Sequence, residues 1–154
     1  MATYYFDGSD GVTDSDGVWT DDANAYDNNT ATTAYTSTAG TSSSNYLEVD
    51  GTNAPASGGV IVAVKARLYG QNGWSSYITL SAPSGGWDWT KVQALSVRAW
   101  SFGVGVATSY AVYDGTTSLG SGISGTDSCQ FNEAEIEVFV SSGEGSFYLI
   151  QGFQ

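Results

Sequence analysis

Residues 60–69 read Val60-Ile61-Val62-Ala63-Val64-Lys65-Ala66-Arg67-Leu68-Tyr69, and this stretch decides the fold. Val60, Val62, Val64, Ala66 and Leu68 share one parity, while Lys65, Arg67 and Tyr69 fall on the other. Successive side chains of a strand point to opposite faces, so the spacing predicts an apolar inner face backed by a wetter outer one. A helix would wrap Lys65 and Arg67 into the apolar stripe, and β-branched residues favour a pleated surface. Each fully buried Val or Leu contributes roughly 1.5–3 kcal/mol, so this strand is expected to anchor a core.

The same alternation returns near the C-terminus. Ala134, Ile136, Val138 and Val140 share one face and Glu133, Glu135 and Glu137 the other, which predicts a half-solvated antiparallel strand. Between these anchors the chain is rich in turn residues. Asp7-Gly8, Asp10-Gly11, Asp16-Gly17, Asp50-Gly51 and Asp114-Gly115 are turn signals, because aspartate bonds its own backbone and glycine supplies positive φ. Strands are expected at Thr3–Phe6, Val18–Thr20, Asn45–Val49, Trp74–Ser81, Lys91–Phe102, Tyr110–Tyr113 and Phe147–Phe153. The tally is about eight to ten strands with no convincing helix, which predicts an all-β antiparallel sandwich of jelly-roll or Greek-key type. At 154 residues the chain suits one domain, with residues 1–17 readable as an extended arm.

Composition narrows the chemistry. Histidine is absent and Cys129 is the single cysteine, which excludes a Ser-His-Asp triad, a Cys-His pair, an intramolecular disulfide and a thiolate zinc cage. Sixteen acidic residues against four basic ones give a formal charge of −12, a field that repels a phosphate backbone. No stretch approaches the roughly 20 apolar residues of a membrane helix. Neither nucleic acid nor membrane is an expected partner. The four cations are Lys65, Arg67, Lys91 and Arg98, whereas seven aspartates lie in the first 27 residues. That end attracts cations, yet its spacing fits no EF-hand, and aspartate is equally at home in turns.

Two constellations deserve weighing. Trp74, Trp87 and Trp89 sit in or beside Gly/Ser loops, where exposed rings stack on sugars or fill a partner's pocket. The alternative is that Trp87 and Trp89, two apart, cover a sandwich edge. Glu133, Glu135 and Glu137 could be read as glycosidase carboxylates, but a solvated strand face explains them without any device to split their pKa values. Gly103-Val104-Gly105 lacks the strand-then-helix setting of a phosphate-cradling loop. Catalysis is therefore not expected.

Residues 19–35 read Trp-Thr-Asp-Asp-Ala-Asn-Ala-Tyr-Asp-Asn-Asn-Thr-Ala-Thr-Thr-Ala-Tyr, followed by a polar loop and Tyr46-Leu47-Glu48-Val49-Asp50-Gly51. This resembles the opening of discoidin-like (galactose-binding-like) domains, where an Ala-x-Asp-Gly-x-x-x-Thr loop precedes a Leu-x-Val/Ile-Asp strand. The resemblance implies a jelly-roll sandwich of about eight strands. It also implies a calcium ion pinning the early loop, with Asp27 as the aspartate and Thr30 and Thr32 in the hydroxyl region. Asn28 stands where the family has Gly, and the family's Trp after the Thr is missing. The Asp-Gly and Ser/Thr loops, the lack of histidine and an N-terminus without an export signal are also similar to phage virion proteins, capsid decoration and tail-fibre modules above all.

The expected function is a non-enzymatic virion structural protein, made in a host cytoplasm, that docks on a major capsid protein or another virion protein, or on itself. The second reading is a calcium-stabilised carbohydrate-binding or adhesion module, extracellular, binding a surface glycan through Trp74, Trp87 and Trp89. A third is a subunit of an extracellular filament with strands donated between copies.

Overall fold

The computed structural model describes residues 2–70, 73–101, 107–124 and 129–141. The stretches Phe147–Phe153 and Gly103–Gly105 singled out above lie outside the described residues. The strands are β1 (Ala2–Asp14), β2 (Ala34–Thr36), β3 (Leu47–Thr52), β4 (Ile61–Gly70), β5 (Gly73–Trp74), β6 (Ile78–Thr79), β7 (Ser96–Trp100), β8 (Thr108–Asp114), β9 (Thr117–Ser124), β10 (Cys129–Phe131) and β11 (Glu133–Val140). Every pairing is antiparallel, and the fold is an all-β sandwich.

One path runs β5-β4-β11-β1-β3-β7-β8-β9, with β6 beside β4 and a separate β10-β2 pair. Strand β1 belongs to both layers. Ala2–Asp7 pair with β11, Gly8–Asp14 pair with β3, and the register shifts between Gly8 and Gly11. Gly11 sits at φ 138°, a conformation that glycine reaches without strain. Residues 2–14 are thus a central strand and not the arm that 1–17 could have formed. The first layer is β5/β6, β4, β11 and the start of β1; the second is the end of β1, β3, β7, β8 and β9. Their inner faces share one core, in which Tyr4, Val64, Ala66, Leu68, Ile136 and Val138 meet Leu47, Val49, Val97, Ala99, Tyr110 and Val112.

The β4 alternation holds from Val64 onward and then breaks. Val60 is 71% and Val62 48% exposed, while Ile61 packs against the core. Ala63 pairs with Phe139 and Ile61 with Val140, so Val62 is an extra residue on one strand. A bulge of this kind reverses the parity, and the inward role passes to Ile61.

The layers close at their far side. Ser81 N–H donates to Leu119 O at 2.8 Å, tying the segment after β6 to β9. A Cβ on Gly122 would lie 3.0 Å from both Ile78 and Tyr110, so this crossing depends on a missing side chain. The glycine-rich β9 shows no alternation in sequence for that reason. The expected strand Trp74–Ser81 is broken into β5 and β6. Of Val18–Thr20, Thr20 alone bridges, to Tyr35.

Where strand was expected from Lys91, a short helix α1 (Trp89–Gln93) comes first. The Asp88 carboxylate accepts Lys91 N–H at 2.9 Å and caps it, while Trp89 and Val92 turn into the core. Asp22–Tyr26 form a single 3-10 turn that buries Ala25. No helix among the described residues is long and apolar enough to cross a membrane.

Trp89 also fixes the loop before β4. Its Nε1 donates to Gly59 O at 2.8 Å, and a Cβ on Gly58 would come within 2.7 Å of its ring. Gly58→Ala is therefore expected to destabilise by about 1–3 kcal/mol through overpacking. At about 2–4 °C per kcal/mol for a chain of this size, thermal unfolding followed by circular dichroism detects it. An unchanged melting temperature would show that Trp89 moves aside at no cost.

Candidate functional site

The Asp-rich start is turn chemistry in the part where side chains are described. Asp14 Oδ1 accepts from Gly17 N–H at 3.0 Å and Val18 N–H at 3.1 Å, and its Oδ2 from Trp19 N–H at 2.9 Å. Asp16 Oδ2 accepts from Asn45 N–H at 2.7 Å. These carboxylates order the turn after β1 and tie it to the loop before β3.

Asp27 and Thr32, predicted as metal ligands, are brought together. The Thr32 hydroxyl donates to Asp27 Oδ2, while Asn29 N–H donates to Asp27 Oδ1 at 3.1 Å. Asn28 sits at φ 59°, the left-handed conformation that its short polar side chain tolerates. Thr30 contributes its carbonyl, which accepts from Asn132 Nδ2 at 2.7 Å across the start of β11. Sequence reasoning missed Asn132, which no local pattern connects to a loop some hundred residues earlier. Its Oδ1 is buried and has no hydrogen-bond partner among the described residues.

Calcium takes about six to eight oxygens, usually with several carboxylates. Of the predicted ligands Asp27 alone is a carboxylate, both of its oxygens are engaged within the loop, and the Asn29 and Thr30 carbonyls already accept bonds. No group of three or more His, Cys, Asp or Glu residues is arranged to hold a metal among the described residues. One free amide oxygen does not make a cage, so this donor set does not fit a resident calcium ion. The loop is closed by its own hydrogen bonds.

The three tryptophans do not form one site. Trp89 is 6% exposed and part of the core, and Trp87 is half-buried against it. Trp74 lies apart, on the outer face of the first layer, in β5 opposite Tyr69.

There it joins a cluster that the sequence did not suggest. The Arg67 guanidinium lies 4.1 Å from the Trp74 ring centroid and 4.6 Å from that of Tyr77. Its Nε donates to Glu135 Oε1 at 2.8 Å, and the Tyr77 hydroxyl donates to the same oxygen. Trp74 also meets Tyr69 edge-on with centroids 5.3 Å apart, and Lys65 lies over Phe139 at 5.3 Å. Glu133 and Glu137 on this face are buried, and Glu135 is partly so. The half-solvated face expected for β11 is in fact roofed by Arg67, Lys65 and the surrounding rings.

The second layer repeats the device. Arg98 lies 4.1 Å from the Tyr46 ring and 4.4 Å from that of Tyr113, and bonds Glu48 Oε2 through Nε at 3.2 Å and Nη2 at 3.0 Å. Its Nη1 donates to Ser42 O at 2.7 Å. Each outer face thus carries a planar cation clamped between two rings and a carboxylate from the neighbouring strand, an arrangement suited to arginine alone.

Burial, and next the bond to Glu135, push the Tyr77 phenol far above its ordinary value. Burial raises Tyr110 too, against a weaker opposing effect of Ser75, and it raises Tyr5 together with a bond to Glu137. Unfolded tyrosines ionise near pH 10. Above that pH the folded chain holds more protons than the unfolded one, so this stabilisation is complete below pH ~10 and is lost as pH rises further. The melting temperature is expected to fall from about pH 10 upward, and more shallowly in Tyr77→Phe. An identical slope in the variant would remove Tyr77 from the account. At neutral pH, adding calcium or a chelator is expected to leave the melting temperature where it was.

Comparison with known protein families, with curated proteins and with solved structures returned no match.

Proposed function

We propose that this chain is a non-enzymatic structural module that works through protein–protein contacts, and that the particle it serves is a virion, as a capsid decoration or fibre piece. The observation that carries the reading is the outer face of the first layer. It presents Trp74, Tyr69, Tyr77 and Phe139 around Arg67 and Lys65, the Trp/Tyr/Arg composition that protein interfaces favour. Arg67 is already paired with Glu135 and packed against the Trp74 and Tyr77 rings, so docking there loses little of their side-chain freedom.

The polar groups described at the sites considered above also serve the fold. Asp14, Asp16, Asp27 and Asp88 hold turns and caps, and Glu48 and Glu135 hold arginines. The antiparallel sandwich is compatible with the jelly roll that the discoidin-like resemblance implies, and it suits a virion part equally well.

Particles banded on a density gradient from the producing culture test this reading by mass spectrometry. Peptides of this chain are expected at the level of a structural component. Their presence in the lysate and absence from the particles would overturn the virion reading.

A carbohydrate-binding role has one observation in its favour, the same aromatic floor around Trp74. Arg67 occupies one face of the ring, which leaves less of it for a sugar. If glycans are nevertheless the ligand, Trp74→Ala abolishes glycan-array binding while Trp87→Ala acts only through stability.

A further inference from the structure

The outer face of the first layer shows, in its own side chains, what kind of group it holds. Across β4 and β11, Tyr69 stands opposite Glu133, Arg67 opposite Glu135 and Lys65 opposite Glu137. Two cations thus face three carboxylates, in a chain whose formal charge is −12. The Lys65 ammonium lies over the Phe139 ring at 5.3 Å, and the Arg67 guanidinium over Trp74 and Tyr77 at 4.1 and 4.6 Å. A ring face carries the negative part of its quadrupole and attracts cations, and the carboxylates alongside add to the same field. Trp74, Tyr69, Tyr77 and Phe139 each keep part of their surface in water. Both cations of β4 are thus seated on rings, and ring surface is still on offer.

We infer that the partner of this face is a basic protein surface, which seats lysine or arginine side chains on the exposed parts of these rings. The inference rests on the reading of the face as a docking surface and adds the chemistry of what docks. Charge selects the occupant. A field of −12 repels an acidic surface, a second copy of this chain included, and draws in a basic one before contact. At contact the Arg67 charge is already met by Glu135 at 2.8 Å, so it opposes an arriving cation little. Thr79 borders the face, exposed and paired with Lys65, and there a charge of either sign can be added to the contact.

Titration of the full chain with a hexaarginine peptide tests it, followed by NMR at the backbone amides and indole N–H groups, with hexaglutamate as the opposite probe. Hexaarginine is expected to shift the resonances of Trp74, Tyr69 and Phe139, and hexaglutamate none of them. Thr79→Lys is expected to weaken hexaarginine binding about threefold and Thr79→Glu to strengthen it by about as much, the effect of one exposed charge near contact. Trp74→Ala is expected to weaken it too, and the Thr79 variants, at an exposed position, carry the test should that protein fold poorly. Asp21→Asn, in the acidic turn before the 3-10 turn, is expected to act less than Thr79→Lys. No shift at the rings, shifts confined to residues 14–27, an affinity indifferent to the charge at position 79, or hexaglutamate on the rings would each overturn the inference. A chain found in particles whose aromatic face ignores hexaarginine keeps the structural reading and loses the basic partner, so the two readings fail separately.

Discussion

Strand β1 is hydrogen-bonded to β11 through Ala2–Asp7 and to β3 through Gly8–Asp14, so the same backbone stabilises both layers. A strand can serve two sheets only if it bends sharply, and the bend falls between two Asp-Gly pairs, where the register with β3 shifts. With β1 fixed, β11 and β4 must stack on one side and β3, β7, β8 and β9 on the other. The apolar faces of Val64, Ala66 and Leu68 then meet Val97, Ala99 and Val112 instead of water. Asp14, at the end of the strand, locks its exit by accepting three backbone N–H groups. The turn chemistry of the first residues is therefore what makes a two-layer core out of one continuous ladder.

The arginine clamps address a different difficulty. Burying carboxylates on outer strand faces costs desolvation unless each is paired and hydrogen-bonded. Glu135 receives both the Arg67 guanidinium and the Tyr77 hydroxyl, and Glu48 receives Arg98 and Ser96. The flanking rings exclude water from these bonds and take up the guanidinium faces that would otherwise stay hydrated. Half of the chain's cations are used in this way, one per layer, each held by two rings and one carboxylate.

How much of this was legible depends on whether the cause was local. The inward residues of β11 and of β4 from Val64 on follow from period-two alternation, a property of the strand itself. Val60 and Val62 were misplaced because a bulge is set by the partner strand, and the partner is not visible in residues 60–69. The roof over Glu133–Glu137 comes from β4 and from Tyr77, some sixty residues away, so a run of alternating glutamates reads as solvated. Trp89 looked like a loop tip among Gly and Ser, yet Asp88 caps a helix too short to show a period, and Trp89 with Val92 points inward. Strand β9 was missed because its glycines mark a close crossing, and glycine has no parity to read. At the candidate metal site, the proximity of Asp27 to Thr32 was legible as a loop motif, whereas the internal use of their oxygens and the arrival of Asn132 were not.

Charge finally limits what any contact of this molecule can be. Three of the four cations are in ion pairs with Glu135, Asp114 and Glu48, and the fourth, Lys65, lies over Phe139 opposite Glu137. Most of the sixteen acidic residues are left without a cation of their own, and nine of them lie in β1, β3, β8 and β11, so strands and loops share the net field. A partner that meets those loops must bring positive charge or lose affinity to repulsion, and salt weakens either effect. A partner that meets the aromatic face finds Arg67 already paired with Glu135, and there shape weighs more.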